Sequence, residues 1–208
     1  MTNWMDLAFS PAVKAAQTRR GSRKGYARME EKGAARTEVD ASLARFIARA
    51  RSFYLATAAC DGQPYIQHRG GPPGFLRVLD DTTLAFADFS GNRQYISTGN
   101  LDENPRAMMF IMDYQNRHRV KIWGTAWVVE DDSTLIETVM PENYQARPEA
   151  VIVFTVTSWD TNCQQHIPRM VHADDVTALA ERIATLEAEN ARLREASADR
   201  SQTTGDTT

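Results

Sequence analysis

The chain has 208 residues, of which 42% are hydrophobic and 25% charged, and a formal net charge of −3. That is enough apolar chain for one globular domain with extensions, and too little basic charge for the whole surface to be a nucleic-acid footprint. Two cysteines, Cys60 and Cys163, stand far apart, which excludes a disulfide-stapled secreted scaffold. The first ten residues, MTNWMDLAFS, lack the cationic start and apolar block of a secretory signal, and no apolar run reaches about eighteen residues. A cytoplasmic chain that neither spans a membrane nor binds nucleic acid is therefore expected.

Residues 1–39 carry few large apolar side chains and read as helical pieces lying on the body. Within them the basic run KAAQTRRGSRKGYAR (14–28) is expected to be a solvated helix face. Asp40 has the chemistry of an N-cap, and Leu43, Phe46, Ile47 and Ala50 recur at helical spacing, so a helix is predicted over 41–51.

From Phe53 the period changes. Seven apolar, β-branched or aromatic runs follow: FYLATAAC, QPYIQHR, FLRVL, TLAFADF, RAMMFIMDY, RVKIWGTAWVVE and AVIVFTVTSW. Turn signals separate several of them, among them Asp61-Gly62, GGPPG at 70–74, Asp80-Asp81 and QNR at 115–117. Seven short strands at hairpin spacing predict a mainly β domain, an antiparallel barrel or sandwich with flanking helices. Short helices are expected within 90–106 and 131–149. Asp102, Glu103, Asp131 and Asp132 read as capping or solvated residues, and Trp127 as core.

The tail has another rhythm. Val176, Leu179, Ile183, Leu186, Asn190 and Leu193 alternate steps of three and four, the a/d seam of a heptad repeat with Asn190 at an a position. In a parallel dimer Arg182 would face Glu187 of the partner subunit, and Glu189 would face the partner's Arg194. The alternative is a single helix packed on the barrel. Four segments result: a helical extension over 1–39, a barrel over 40–172, a heptad helix over 173–197 and a disordered polar tail over 198–208.

Two cationic clusters follow strands. QHRGG places Arg69 at a strand end, where its forked donors suit phosphate or carboxylate, beside Gly70 and Gly71, which let a ligand approach the backbone. SGNRQ (90–94) follows the next hairpin and opens a predicted helix, so Arg93 and free N–H groups are suited to an anion. Each alone is a weak signal; one hairpin apart, they are able to converge on one phosphate. The four histidines and Cys163 lack the paired spacing of a zinc site, so no metal is expected and Cys163 reads as a packing residue.

These runs, with WDTNCQQHIPR at 159–169, resemble the pyridoxamine 5′-phosphate oxidase-like flavoproteins over roughly residues 40–170, and more closely their predicted flavin-nucleotide-binding branch. The resemblance implies a split β-barrel, a homodimer, and FMN in the dimer interface. It implies that Arg69 and Arg93 hold the phosphate, helped by Ser90, Asn92 and Gln94, while Ile66, Gln67 and His68 run beneath the isoalloxazine. Lys121 and Trp123 are implied flavin neighbours, and Trp159, Gln164, Gln165 and His166 match the late segment that reaches the flavin of the other subunit. The late Arg-x-His pair of the true pyridoxamine-phosphate oxidases is missing, so the resemblance carries flavin binding and not vitamin B6 oxidation. The expected activity is FMN-dependent oxidation or reduction of a small molecule, with a nicotinamide or deazaflavin electron donor. A flavin carrier or sensor without turnover, and a haem-binding split barrel, remain the alternatives.

Overall fold

The computed structural model describes residues 2–33, 35–161 and 164–203, with side chains through residue 195. One compact unit takes residues 1–113 and 117–167, and a second takes 114–116 and 168–208.

The first unit opens with three short helices, α1 (Trp4–Ala8), α2 (Pro11–Arg19) and α3 (Arg23–Lys32). Asn3 and Asp6 form a reciprocal capping box on α1, and the Ser10 hydroxyl caps α2. Most of the basic run is exposed, with Arg19, Arg20, Lys24 and Arg28 facing solvent, while Glu30 on α3 takes Lys14 of α2 at 3.2 Å and also pairs with Arg23. Helix α4 (Ala41–Ala48) is capped by the Asp40 carboxylate, which accepts from the N–H groups of Ser42 and Leu43 at 2.9 Å. It ends at Ala48, with Arg49 as its C-cap, short of the predicted 51, because the chain must extend again for a strand that begins at Ser52.

Seven strands follow: β1 (Ser52–Ala58), β2 (Pro64–Gly70), β3 (Arg77–Val78), β4 (Thr83–Phe89), β5 (Arg106–Asp113), β6 (His118–Val129) and β7 (Pro148–Thr161). Helices α5 (Ile96–Glu103) and α6 (Ser133–Val139) lie in the two predicted interruptions, and the Asp132 carboxylate caps α6. The order across the sheet is β2-β1-β5-β6-β7-β4-β3, every neighbour antiparallel. This is the expected split barrel: hydrogen bonding runs from β2 round to β3 and leaves a seam open. Across that seam the Arg69 guanidinium on β2 pairs with the Asp88 carboxylate on β4.

Alternation sets the core. Phe53 and Leu55 of β1, Met109 and Ile111 of β5, Ile122 of β6 and Phe154 of β7 point inward, with Leu43 and Ile47 of α4 at the same core. Strands β4 and β7 are buried on both faces, since α6 lays Val139 over Ala85, Ala87, Val151 and Val153.

Two expectations need correction. The run FLRVL keeps only two paired residues, because Phe75 and Leu76 leave the strand pattern to plug the barrel and are each 2% exposed. That plug also explains a glycine of GGPPG, and backbone geometry another. A Cβ on Gly71 would lie 2.7 Å from Phe75, and Gly74 turns at φ +86°, which a side chain would strain. Trp127 is not core: it faces outward opposite Val153 and is 44% exposed, since α6 reaches over β4 and β7 but leaves this stretch of β6 uncovered.

The second unit is dominated by α7 (Ala173–Thr203), 31 residues long. It continues past the predicted end at 197, through a stretch containing Ala198, Arg200 and Gln202, which are sound helix formers. Residues 204–208 of the expected tail lie outside the described residues. Among the described residues no helix is long and apolar enough to cross a membrane.

Candidate functional site

Register fixes which way β2 presents its side chains. Gln67 pairs with Leu55 and Arg69 with Phe53, so both face the inner side; Ile66 pairs with Ala56 and His68 with Tyr54 on the outer side. Arg69 is nearly enclosed, its side chain 12% exposed and its guanidinium carbon 5.8 Å above the Phe86 ring. One terminal nitrogen donates to Asp88, while Nε is buried without a hydrogen-bond partner. An unpaired donor on a buried cation is costly, so a site that retains one is suited to an incoming anion.

The turn after β4 carries the second cation. Arg93 and Tyr95 both hold left-handed backbone, φ 61° and 53°, and Tyr95 is the N-cap of α5. The predicted helix start is thus displaced: the SGNRQ cluster ends before α5 begins. The Asn92 side chain accepts from the Gln94 N–H at 3.2 Å and donates to the Gln94 side chain at 3.2 Å, closing the turn on itself. Arg93 donates through Nε and Nη2 to Glu149 Oε1 at 3.3 and 3.1 Å, and the Tyr95 hydroxyl donates to the other oxygen at 3.3 Å. Burial works to raise the Glu149 pKa, but hydrogen bonds from Ser90 and Arg93 outweigh it and hold the carboxyl below its ordinary range. The Ser97 hydroxyl on α5 donates to Gln67 at 2.8 Å, tying the helix to β2.

Two neighbouring cavities share this cluster. One of about 260 Å³ is lined by Gln67, Arg69, Asn92, Arg93, Gln94 and Glu149, among others. The other, about 170 Å³, is walled by His68, Gly70, Phe75 and Phe86 and shares Gln67 and Arg69 with the first. Polar donors thus sit at one end and aromatic walls at the other.

The outer face of the sheet is a second feature. Direct pairing lines up Ile66, Ala56, Met108 and Trp123 in one row, and His68, Tyr54, Phe110 and Lys121 in the next. Ile66 is 61% exposed and Tyr54 36%, so the β2 and β1 end of this face stands open beside the cavities, while Met108, Phe110 and Trp123 further along are half-buried. At its β6 edge Trp4 of α1 stacks on Trp123 with centroids 5.9 Å apart, and the Lys121 ammonium sits over both rings at 5.9 and 5.6 Å. Burial lowers the Lys121 pKa, and burial raises that of Asp160, its cross-strand partner on β7.

The expected site residues therefore fall into groups. Gln67, Arg69, Asn92, Arg93 and Gln94 line one cavity, with Ser90 beside Glu149 at its rim. Ile66 and His68 turn to the outer face, and Lys121 and Trp123 stand at its far edge. Trp159 is core, 3% exposed, with its indole N–H given to the Glu38 carbonyl at 2.8 Å and Arg36 over its ring. Gln164 lies 2.6 Å from the His118 ring, and Gln165 and His166 are exposed, the latter at φ 62°. Cys163 lies outside the described residues. Asp88 and Glu149, which hold both arginines, and Ser97, which holds Gln67, carry no local sequence signal; only the strand register brings them in.

A family model described as pyridoxamine 5′-phosphate oxidase matches residues 39–163. No curated protein matches the chain. Similar solved structures include HupZ from Group A Streptococcus, 17% identical over 64% of this chain and 98% of that one, with a TM-score of 0.49. An FMN-binding protein from Syntrophomonas wolfei is 12% identical over 70% and 97%, with a TM-score of 0.44. A protein described as an F420 reductase is 19% identical over 56% and 94%, with a TM-score of 0.42.

Proposed function

The chain belongs to the pyridoxamine 5′-phosphate oxidase family, and from that premise we propose that it is an FMN-dependent oxidoreductase acting on a small molecule. The observation that carries this reading is the convergence of Arg69, with its unpartnered buried Nε, and Arg93 on one cavity beside an open apolar face. FMN needs a clamp for a dianion, an amide edge and an apolar slot. Arg69, Arg93, Asn92 and Gln94 supply donors for the phosphate, and Gln67 offers both a donor and an acceptor for the polar edge of the ring. Because β2 is the edge strand of the sheet, the ring lies along that edge, met by Gln67 from the inner side and by Ile66 and His68 from the outer face. A second copy of the chain covers that face and encloses the flavin, because the exposed rows of Ile66 and Tyr54 are too apolar to be left to water in a working site.

When bound, FMN supplies the hydride and electron chemistry. The protein binds, orients and excludes water. Lys121, whose proton is loosened by burial, stands at the edge of the same face as the group best placed to give a proton to a reduced substrate. Electrons come from a nicotinamide or deazaflavin donor. No vitamin B6 oxidation is proposed, since the segment 159–169 has no Arg-x-His pair.

The test is flavin binding by the purified chain. Two-banded flavin absorption that titrates to one FMN per chain, with riboflavin at least a hundredfold weaker, is the expected result. A protein that takes up no FMN overturns the reading. Equal affinity for riboflavin overturns the phosphate site alone.

Glu149 gives a prediction of opposite sign to loss of an arginine. Its carboxylate faces the same Arg93 donors that a phosphate would use. Glu149→Gln removes that competing negative charge and is expected to tighten FMN binding roughly three- to tenfold, more at low salt than at high. Fluorescence titration at two ionic strengths checks it, and weaker binding would show that Glu149 is needed to aim Arg93.

A further inference from the structure

We propose that α7 pairs in parallel and in register with α7 of a second copy, as a two-stranded coiled coil that is a dimer contact separate from the flavin face. The helix carries an apolar stripe with no cover of its own. Val176, Leu179, Ile183, Leu186 and Leu193 are 49, 63, 55, 40 and 64% exposed. They fall on the a and d positions of three heptads, and the intervening side chains are polar or small. A helix of 31 residues is about 46 Å long, enough for the whole seam to engage at once.

The occupant is identified by charge. A parallel, in-register pair sets each g position against the e position of the next heptad on the other chain. Here that places Arg182 against the partner's Glu187 and Glu189 against the partner's Arg194, so all four contacts in the dimer are attractive. Asn190 at an a position points the same way, because two facing amides satisfy each other only when two chains run parallel and in register. Three heptads make a weak coil alone. Attached to a chain that also meets its copy through the barrel, they act at high effective concentration and hold the dimer together about a hundredfold more tightly than the barrel does unaided.

The test uses the full chain with Cys60→Ser and Cys163→Ser. Leu186→Cys, at a d position, is expected to form a covalent dimer under mild oxidation. Glu181→Cys, at the outward f position, is expected to do so at least tenfold more slowly. Equal rates, or no product from Leu186→Cys, overturn the proposal, since an antiparallel pair or a helix folded back on its own chain would leave position 186 without its twin. A charge swap reads the same geometry by sedimentation. Arg182→Glu raises the dimer dissociation constant about tenfold, and adding Glu187→Arg restores it to within about twofold. Failure of that rescue likewise overturns the proposal. Neither readout depends on flavin, so the pairing and the cofactor assignment fail separately.

Discussion

Arg69→Ala, made together with Asp88→Asn, binds FMN about a thousandfold more weakly than the unaltered chain and keeps its secondary structure. Arg69 is the more enclosed of the two cations, 12% exposed at the side chain against 61% for Arg93, so its hydrogen bonds are the less diluted by water. With one terminal nitrogen on Asp88, two of its donors, Nε and the other terminal nitrogen, remain for a phosphate. At about 2 kcal/mol for each charge-assisted bond, their loss amounts to about 4 kcal/mol, or roughly three powers of ten. The second substitution matters because Asp88 is itself largely buried, and alone it would become an uncompensated charge that destabilises the fold. Asp88→Asn by itself is expected to keep FMN binding, and riboflavin binding should change little in either variant. If the double variant binds FMN within threefold of the unaltered chain, the phosphate does not lie at Arg69.

Gly124→Ala is the substitution expected to damage the fold most. At Gly124 the pairing of β6 with β7 shifts register, a bulge in the longest ladder of the sheet. The two backbones approach so closely there that an added Cβ would lie 2.0 Å from the Thr155 carbonyl oxygen and 2.6 Å from the Phe154 ring. Neither neighbour can give way: one is main chain in the ladder, and the other is a fully buried side chain of the barrel core. Relief requires the ladder to open, at a cost of about 3 kcal/mol or more. For a domain of this size that lowers the unfolding midpoint by about 10 °C, measurable by calorimetry or circular dichroism. A shift under about 2 °C would mean that the bulge absorbs the methyl group. The bulge follows Trp123 directly, so partly folded variants should also disturb the Trp123–Lys121 pair before the rest of the barrel.

Much of this architecture was legible because apolar, β-branched and aromatic runs separated by turn residues are a strong signal. Seven such runs became seven strands, one of only two residues, and the Asp40 cap placed α4 to within a few residues. The run FLRVL misled because its first two residues answer to the barrel interior and not to a neighbouring strand. Trp127 misled for the complementary reason: an aromatic in an apolar strand reads as core, and only the placement of α6 decides which outer-face residues are covered. At the site, the meeting of Arg69 and Arg93 was readable because one lies at the end of a strand and the other in the turn that follows the next hairpin. Their carboxylates were not, since Asp88 is 19 residues from Arg69 and Glu149 is 56 from Arg93, and three-dimensional register alone joins them. Trp159 was expected at the flavin and is packed in the core, its indole N–H taken by Glu38 from the segment ahead of α4.

The stacked pair of Trp4 and Trp123 gives the protein an optical gauge of its own N-terminal helix. Two parallel indoles with an ammonium over them form a shielded chromophore, and each ring would be hydrated if α1 lifted away. Trp159 is sealed in the barrel and Trp127 already meets water, so neither would change colour on such an event. A red shift in tryptophan emission without loss of β-sheet signal would therefore report α1 leaving the sheet.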